Sequence, residues 1–303
     1  MERFKKMLVC LDQSSLDLDI IKATGVLCEL MPREVTFINV IRDFSLPEGM
    51  MKEFPDLLDT ALKERKEEIR KSLQEHFTWP DVDVKIKVVQ GAPSKAILKY
   101  ANKSDFDLIV AGRRESGSGV IRSRLARKSD CSFLLIAEGA KLDLNHILVP
   151  IDFSEHSKMA LSKAVDFARL VPNLVTIFAQ NVYTVPTGYH YTGKSREEFA
   201  DVMKENAQKD YEAFMRTVDT DGKEVNAIFS HNDNDDFVSD IRDQAKNLKA
   251  ELIIIGAKGQ TSTSALFIGS RAERIVMMDT DSSMLMVRKK GEKAGFMDFI
   301  DEL

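Results

Sequence analysis

This 303-residue chain is poor in the side chains on which metal, redox and membrane chemistry depend. Its three cysteines, Cys10, Cys28 and Cys131, are too few and too scattered for a disulfide framework or a zinc knuckle. Cys10 and Cys131 lie in or beside apolar runs, where reduced thiols pack as small hydrophobes. The five histidines share no metal-ligand spacing, and the acidic cluster Asp233–Asp236 lacks the glycine and glutamate positions of an EF-hand and is expected to cap the helix that follows it. No stretch approaches the ~20 apolar residues that cross a bilayer. The apolar run Met7–Leu11 ends at Asp12, too soon for a signal peptide. A cytoplasmic protein without a membrane segment is expected. Basic charge is not in excess either: 43 Lys and Arg face 48 Asp and Glu, for a net charge of −5. That balance argues against a general nucleic-acid binder.

What is present is an ordinary globular composition, 44% hydrophobic and 30% charged, written out twice. Lys6-Met-Leu-Val-Cys-Leu-Asp12 matches His146-Ile-Leu-Val-Pro-Ile-Asp152, 140 positions later. Met31-Pro32 followed by Val35-Thr36 matches Val171-Pro172 followed by Val175-Thr176 at the same offset. Asp107–Gly112 matches Glu251–Gly256, and Ser132–Ile136 matches Ser283–Val287. The chain therefore divides into two homologous domains, 1–140 and 146–290, followed by a tail, 291–303. The first half is weakly basic (24 basic, 22 acidic side chains through Lys141) and the second acidic (19 and 26).

Each half alternates strand and helix. The apolar runs Met7–Leu11, Val35–Ile41, Val84–Val89, Leu108–Ala111 and Phe133–Ala137 are short and continuous, as parallel strands covered on both faces are. Between them, Leu58, Leu62, Ile69, Leu73 and Phe77 fall on one helical stripe, with the charge run Lys63–Glu68 mostly on the other face. The order β-α-β-α-β-α-β-α-β in each half gives an α/β fold of two doubly wound five-stranded parallel sheets. A continuously apolar last strand at a sheet edge needs a cover. Pairing of the two last strands as a pseudo-dimer is the expected resolution. In the tail, Phe296, Phe299, Ile300 and Leu303 have the spacing of a short amphipathic helix.

Doubly wound sheets bind ligands beyond the carboxyl ends of their strands. The dinucleotide pattern G-x-G-x-x-G is missing from the first strand-to-helix turn, which carries Asp12-Gln-Ser-Ser in one half and Asp152-Phe-Ser-Glu in the other. Such an aspartate can accept from ribose hydroxyls or an adenine amine, while Ser154 caps the helix that follows. After the fourth apolar run of the second half comes Gly256-Ala-Lys-Gly259, then nine residues, then Gly269-Ser270. Glycines at 256 and 259 allow a tight turn and close approach to a ligand. Gly269 and Ser270 open a helix whose free N–H groups favour phosphate.

The two-domain β/α pattern, the opening Ile147-Leu-Val-Pro-Ile-Asp-Phe-Ser154 and the G-x2-G-x9-G-S run resemble the universal stress protein family in tandem form, from about Lys6 to Lys289. The resemblance implies strand order 3-2-1-4-5 and, with this glycine motif, an ATP site accompanied by Mg²⁺ on the phosphates. By position, Pro150, Ile151 and Asp152 would lie against adenine and ribose, and Val182 against adenine. Gly256, Ala257, Gly259, Gly269, Ser270, Arg271 and Ala272 would surround ribose and phosphates. The first half departs from the motif. Gly112 to Phe133 spans 21 residues against 28 from Gly256 to Met284, and Glu115 replaces the second glycine. A carboxylate there repels phosphate, so no equivalent ATP site is expected. Arg113, Arg114, Arg122, Arg124, Arg127 and Lys128 nonetheless concentrate charge nearby, for a small anion or a solvated or interface surface. An ATP-binding stress-response regulator is the expected function, with an unknown protein partner and a homodimer among its expected assemblies. A slow ATP hydrolase and a nucleotide-independent scaffold are the alternatives. A phospho-receiver is excluded, because Gln90 and His231 stand where its third-strand aspartate would be.

Overall fold

The computed structural model of the chain describes residues 4–30, 34–42, 53–54, 56–77, 81–114, 119–233, 236–259 and 268–290. Met31-Pro32, Glu115, the loop 260–267 and the tail 291–303 with its apolar stripe lie outside the described residues. Two compact units result, Glu2–Lys141 and Leu142–Leu303.

In the first unit, β1 (Lys6–Leu11), α1 (Leu16–Leu30), β2 (Glu34–Ile41), α2 (Leu57–His76), β3 (Asp83–Gln90), α3 (Pro93–Lys103), β4 (Leu108–Arg113), α4 (Val120–Lys128) and β5 (Ser132–Ala137) follow in order. In the second, the order is β6 (His146–Pro150), α5 (Glu155–Leu170), β7 (Thr176–Thr184), α6 (Arg196–Met215), β8 (Val225–Asn232), α7 (Phe237–Leu248), β9 (Leu252–Gly256), α8 (Ser270–Val276) and β10 (Ser283–Val287). A 3₁₀ turn, Thr187–Thr192, follows β7. Within each unit the strands run parallel in the order 3-2-1-4-5, the order that the resemblance implies.

Continuous burial marks the inner strands. Met7, Leu8 and Val9 of β1 and Ile147, Leu148 and Val149 of β6 are fully inaccessible. Strand β3 alternates instead, with Asp83, Lys85 and Lys87 exposed between half-buried Val84, Ile86 and Val88. Charged side chains pointing outward there discourage pairing with another edge. In α2, Ile69 and Leu73 are buried while Leu58 and Leu62 are half-buried. Phe77 completes the stripe edge-on to Phe37 of β2 at 5.3 Å. Helix α6 starts on a capping box in which the Ser195 hydroxyl accepts from Glu198 N–H (3.1 Å) and the Glu198 carboxylate accepts from Ser195 N–H (2.8 Å).

The glycine that ends or nearly ends the fourth strand is required by packing. At Gly256 a Cβ would lie 2.6 Å from the main-chain carbon and oxygen of His156, in the first turn of α5. At Gly112 it would lie 2.2 Å from Leu16 Cδ2, in the first turn of α1. Leu16 and His156 each stand four residues beyond the aspartate that follows the unit's first strand. Gly256 opposes backbone and Gly112 opposes a side chain, so their substitutions should differ. Gly256→Ala is expected to cost about 2–3 kcal/mol and Gly112→Ala nearer 1, the range for overpacking. Denaturant unfolding of both variants checks this, and equal losses would show that Leu16 cannot yield.

Candidate functional site

The turn after the first strand is built alike in both units. Phe153 (φ 64°) and Gln13 (φ 65°) take left-handed backbone, which for non-glycine residues costs on the order of 1 kcal/mol. Side chains placed around each turn hold it there. In the second unit the Asp152 carboxylate accepts from Ser154 N–H (3.2 Å) and from the Ser157 hydroxyl (2.5 Å). The Ser157 hydroxyl in turn accepts from Asp152 N–H (3.0 Å). Ser154 caps α5, its hydroxyl accepting from Ser157 N–H at 3.2 Å. The Phe153 ring packs on Phe214 of α6, centroids 5.7 Å apart. The carbonyl ahead of the aspartate is also tied down: Asn181 Nδ2 of β7 donates to Ile151 O at 3.0 Å. Asn39 Nδ2 of β2 does the same to Leu11 O at 2.9 Å.

Above this turn the second unit has a crevice of about 300 Å³. Of the residues expected at the site, Pro150, Ile151, Asp152, Val182, Gly256, Gly259, Arg271 and Ala272 line it together. The other three are not part of the lining. Ala257 is fully buried, with its N–H on Val287 O (3.1 Å). Gly269 donates its N–H to Ala257 O (2.9 Å) and is the N-cap of α8, so it closes the turn that carries Gly259. A Cβ at Gly269 would press to 3.3 Å of Lys258 Cα. Ser270 follows on the exposed first turn of α8. At Gly259 a Cβ would come within 2.5 Å of Asp152 Oδ2, so a larger residue there would displace a carboxylate that Ser154 and Ser157 hold in place.

The lining also contains residues that the sequence reading did not single out, among them Phe153, Gln180, Asn181, Asp210, Asn232 and Lys258. Two of these are strongly directional. Gln180 Nε2 donates to Ser230 Oγ (2.9 Å) and to Asp240 O (3.3 Å), and Asn232 Nδ2 donates to the Asp240 carboxylate. A carbonyl and a carboxylate accept only, so Asp240 sets the orientation of both amides. Gln180 Oε1 and Asn232 Oδ1 are left buried without a partner. A buried acceptor without a donor costs about 1–3 kcal/mol, and a ligand donor would recover it.

His156 is absent from the crevice lining; its main chain sits against Gly256. Asp236 occupies the N-cap position of α7 but its side chain caps nothing, so the capping role expected of the acidic cluster is not what its carboxylate does. It pairs with Arg274 instead (3.1 Å). Asp233 pairs with Arg196 (3.2 Å) and faces His231 (3.5 Å), and no group able to hold a metal occurs among the described residues.

The first unit has its own crevice at the matching place, about 360 Å³, lined by Asp12, Asn39, Gly112 and Arg114 among others. Asp12–Asp17 differs from Asp152–Ser157 at four positions, and the last of them changes the hydrogen bonding. Asp17 stands where the second unit has Ser157, its carboxylate accepting from the N–H groups of Asp12 (3.0 Å) and Gln13 (2.8 Å). Burial pushes its pKa up to about 6, against the lowering effect of those two N–H groups. Burial likewise raises the Cys10 thiol at the crevice wall, keeping it protonated.

Each α/β unit thus has a crevice beyond the carboxyl ends of its strands, the place where doubly wound sheets take ligands. The universal stress protein family model matches residues 3–137 and again 144–288, and the chain belongs to that family as a tandem of two domains. Among solved structures it is similar to a universal stress protein from Archaeoglobus fulgidus DSM 4304, at 15% identity over 95% of this chain and 97% of that one (TM-score 0.60). It is also similar to a putative universal stress protein from Pseudomonas aeruginosa UCBPP-PA14, at 14% identity over 98% and 97% (TM-score 0.64). A third, a functionally unknown protein from Pseudomonas aeruginosa PAO1, aligns at 14% identity over 99% and 98% (TM-score 0.61). At these identities the likeness is one of fold. No curated protein sequence matches the chain.

The Asp17 carboxylate has a stability consequence whose sign is set by the direction of its shift. Its folded pKa lies above the unfolded value near 4, so the folded state holds the extra proton at intermediate pH. That stabilisation is present below about pH 4 and is lost as pH rises through 6. Asp17→Ser, which copies the second unit, is expected to gain about 1 kcal/mol relative to the parent between pH 5 and 7.5. Urea unfolding at the two pH values measures it, and an unchanged difference would mean that Asp17 titrates normally.

Proposed function

We propose that the chain is a nucleotide-responsive regulator that binds ATP in the second unit. The observation that carries this reading is the crevice itself, where Gly256 and Gly259 bring the fourth-strand loop against Asp152, beside the unpartnered oxygens of Gln180 and Asn232. Adenine presents an exocyclic amine, the donor those two oxygens lack. Asp152 is placed for ribose hydroxyls, with Ile151 and Val182 offering apolar walls to the base. Lys258 and Arg271 supply the positive charge that phosphates need, and Mg²⁺ would arrive on the phosphates. No described helix is long and apolar enough to cross a membrane. A cytoplasmic location, a homodimer and a protein partner that reads the nucleotide state complete the proposal.

Calorimetric titration of nucleotide-stripped protein with Mg-ATP tests it. One site per chain is expected, weakened at least tenfold in Gly259→Ala, whose Cβ would collide with the Asp152 carboxylate. ATP should bind at least tenfold tighter than ITP, which places an oxygen where adenine has its amine and so faces two acceptors with a third. No heat with ATP would leave a nucleotide-independent scaffold. Rapid phosphate release during the titration would make the protein a hydrolase.

A further inference from the structure

We infer that Asp240, in the first turn of α7, is the specificity-determining residue of the second unit's crevice: it orients two side-chain amides so that their oxygens are left for an incoming base, and thereby selects a 6-amino over a 6-oxo purine. The inference rests on the ATP reading and names what sets its choice of base. Asp240 is a positioning residue. It is absent from the crevice lining and acts through Gln180 and Asn232, which are part of it.

Gln180 is 1% exposed and Asn232 5% exposed, so solvent does little to settle which way round their amides lie. Neighbouring groups must do it. Gln180 Nε2 donates to the Asp240 main-chain oxygen (3.3 Å) and to Ser230 Oγ (2.9 Å), and Asn232 Nδ2 donates to the Asp240 carboxylate. Neither oxygen of Asp240 can donate in return, so turning either amide round would set oxygen against oxygen. What remains is Gln180 Oε1 and Asn232 Oδ1, both buried and unpartnered. Two acceptors match an exocyclic amine, which carries two N–H groups. A ring carbonyl in that place would be a third acceptor, and a buried polar group left unpaired is what makes such discrimination steep.

The first unit shows that the fold does not require this arrangement. Cys10 pairs with Ile38 as Pro150 pairs with Gln180, in each case one residue before the asparagine that ties down the first strand, so Ile38 stands in the place of Gln180. Gly91 follows Gln90, opposite Ile41, as Asn232 follows His231, opposite Tyr183. Ala96 is the fourth residue of α3, as Asp240 is the fourth of α7. All three members are therefore missing from the first unit, which keeps the same strand order without them. The amides and the carboxylate that orients them occur together, in the unit whose crevice also has the glycine loop.

The test is calorimetric titration of the nucleotide-stripped full chain with Mg-ATP and Mg-ITP, in the parent and in Asp240→Asn. The new amide has nearly the same shape and can donate to Asn232 Oδ1, which lets Asn232 turn its N–H groups to the base while Gln180 keeps its main-chain acceptor. ATP is expected to weaken and ITP to tighten, so that the ratio of their affinities falls at least about tenfold. Tighter ITP binding is the result that a merely structural role would not produce. Asp240→Ala, which leaves Asn232 free to turn either way, is expected to lower the ratio at least about threefold, and it carries the test if Asp240→Asn does not fold. An unchanged ratio overturns the inference, as does an equal loss of both nucleotides. The two readings fail differently: no ATP binding by the parent overturns the ATP site and this inference with it, whereas ATP binding whose base preference ignores Asp240 overturns this inference alone.

Discussion

The site in each unit depends on one close contact: the first turn of the first helix lies directly on the glycine at the end of the fourth strand. At Gly256 the opposing atoms are His156 main chain, and at Gly112 they are the Leu16 side chain. With no Cβ between them, helix and strand end meet at a distance that leaves the intervening turn little room. Phe153 and Gln13 must then adopt left-handed backbone, and Asp152 and Asp12 emerge at the carboxyl edge of the sheet. The crevices form above that edge because the strands diverge there, as in other doubly wound sheets.

Around this shared frame the two halves have changed what they present. The asparagine amides that tie down Leu11 and Ile151 are the same in both, so the position of the aspartate is conserved as geometry. The second unit keeps glycine at 259, and a loop can rest against Asp152. The first has a shorter connection and places Arg114 beside Asp12.

Much of the fold is legible in the sequence because its information is local. Continuous apolar runs give the inner strands, and the doubled Leu-Val/Asp motif reveals the duplication; Val84–Val89, grouped with those runs, is instead an alternating strand whose lysines face outward. Ser154 announces its helix cap, and the glycine spacing marks the loop that shapes the crevice. Legibility stops where a residue's role comes from what lies across the sheet. Asn39 and Asn181 are ordinary strand residues until their amides meet a neighbouring strand's carbonyl. Gln180 and Asn232 become aligned acceptors only because Asp240, on another helix, takes both of their N–H groups. Asp236 reads as a helix cap from its place in the chain, yet Arg274, 38 residues away, claims its carboxylate. Gly269 shows a subtler limit: its spacing is informative, but its N–H closes the turn on Ala257.

The bond from Asn181 to the Ile151 carbonyl also ties the crevice to a distant surface. Asp152 is joined to α5 through Ser154 and Ser157, and the residue before it is joined sideways to β7. Strand β7 leads in turn to the 3₁₀ turn carrying Tyr191, 87% exposed. The aspartate in the crevice and an aromatic ring open to solvent thus belong to one continuous stretch of bonded structure.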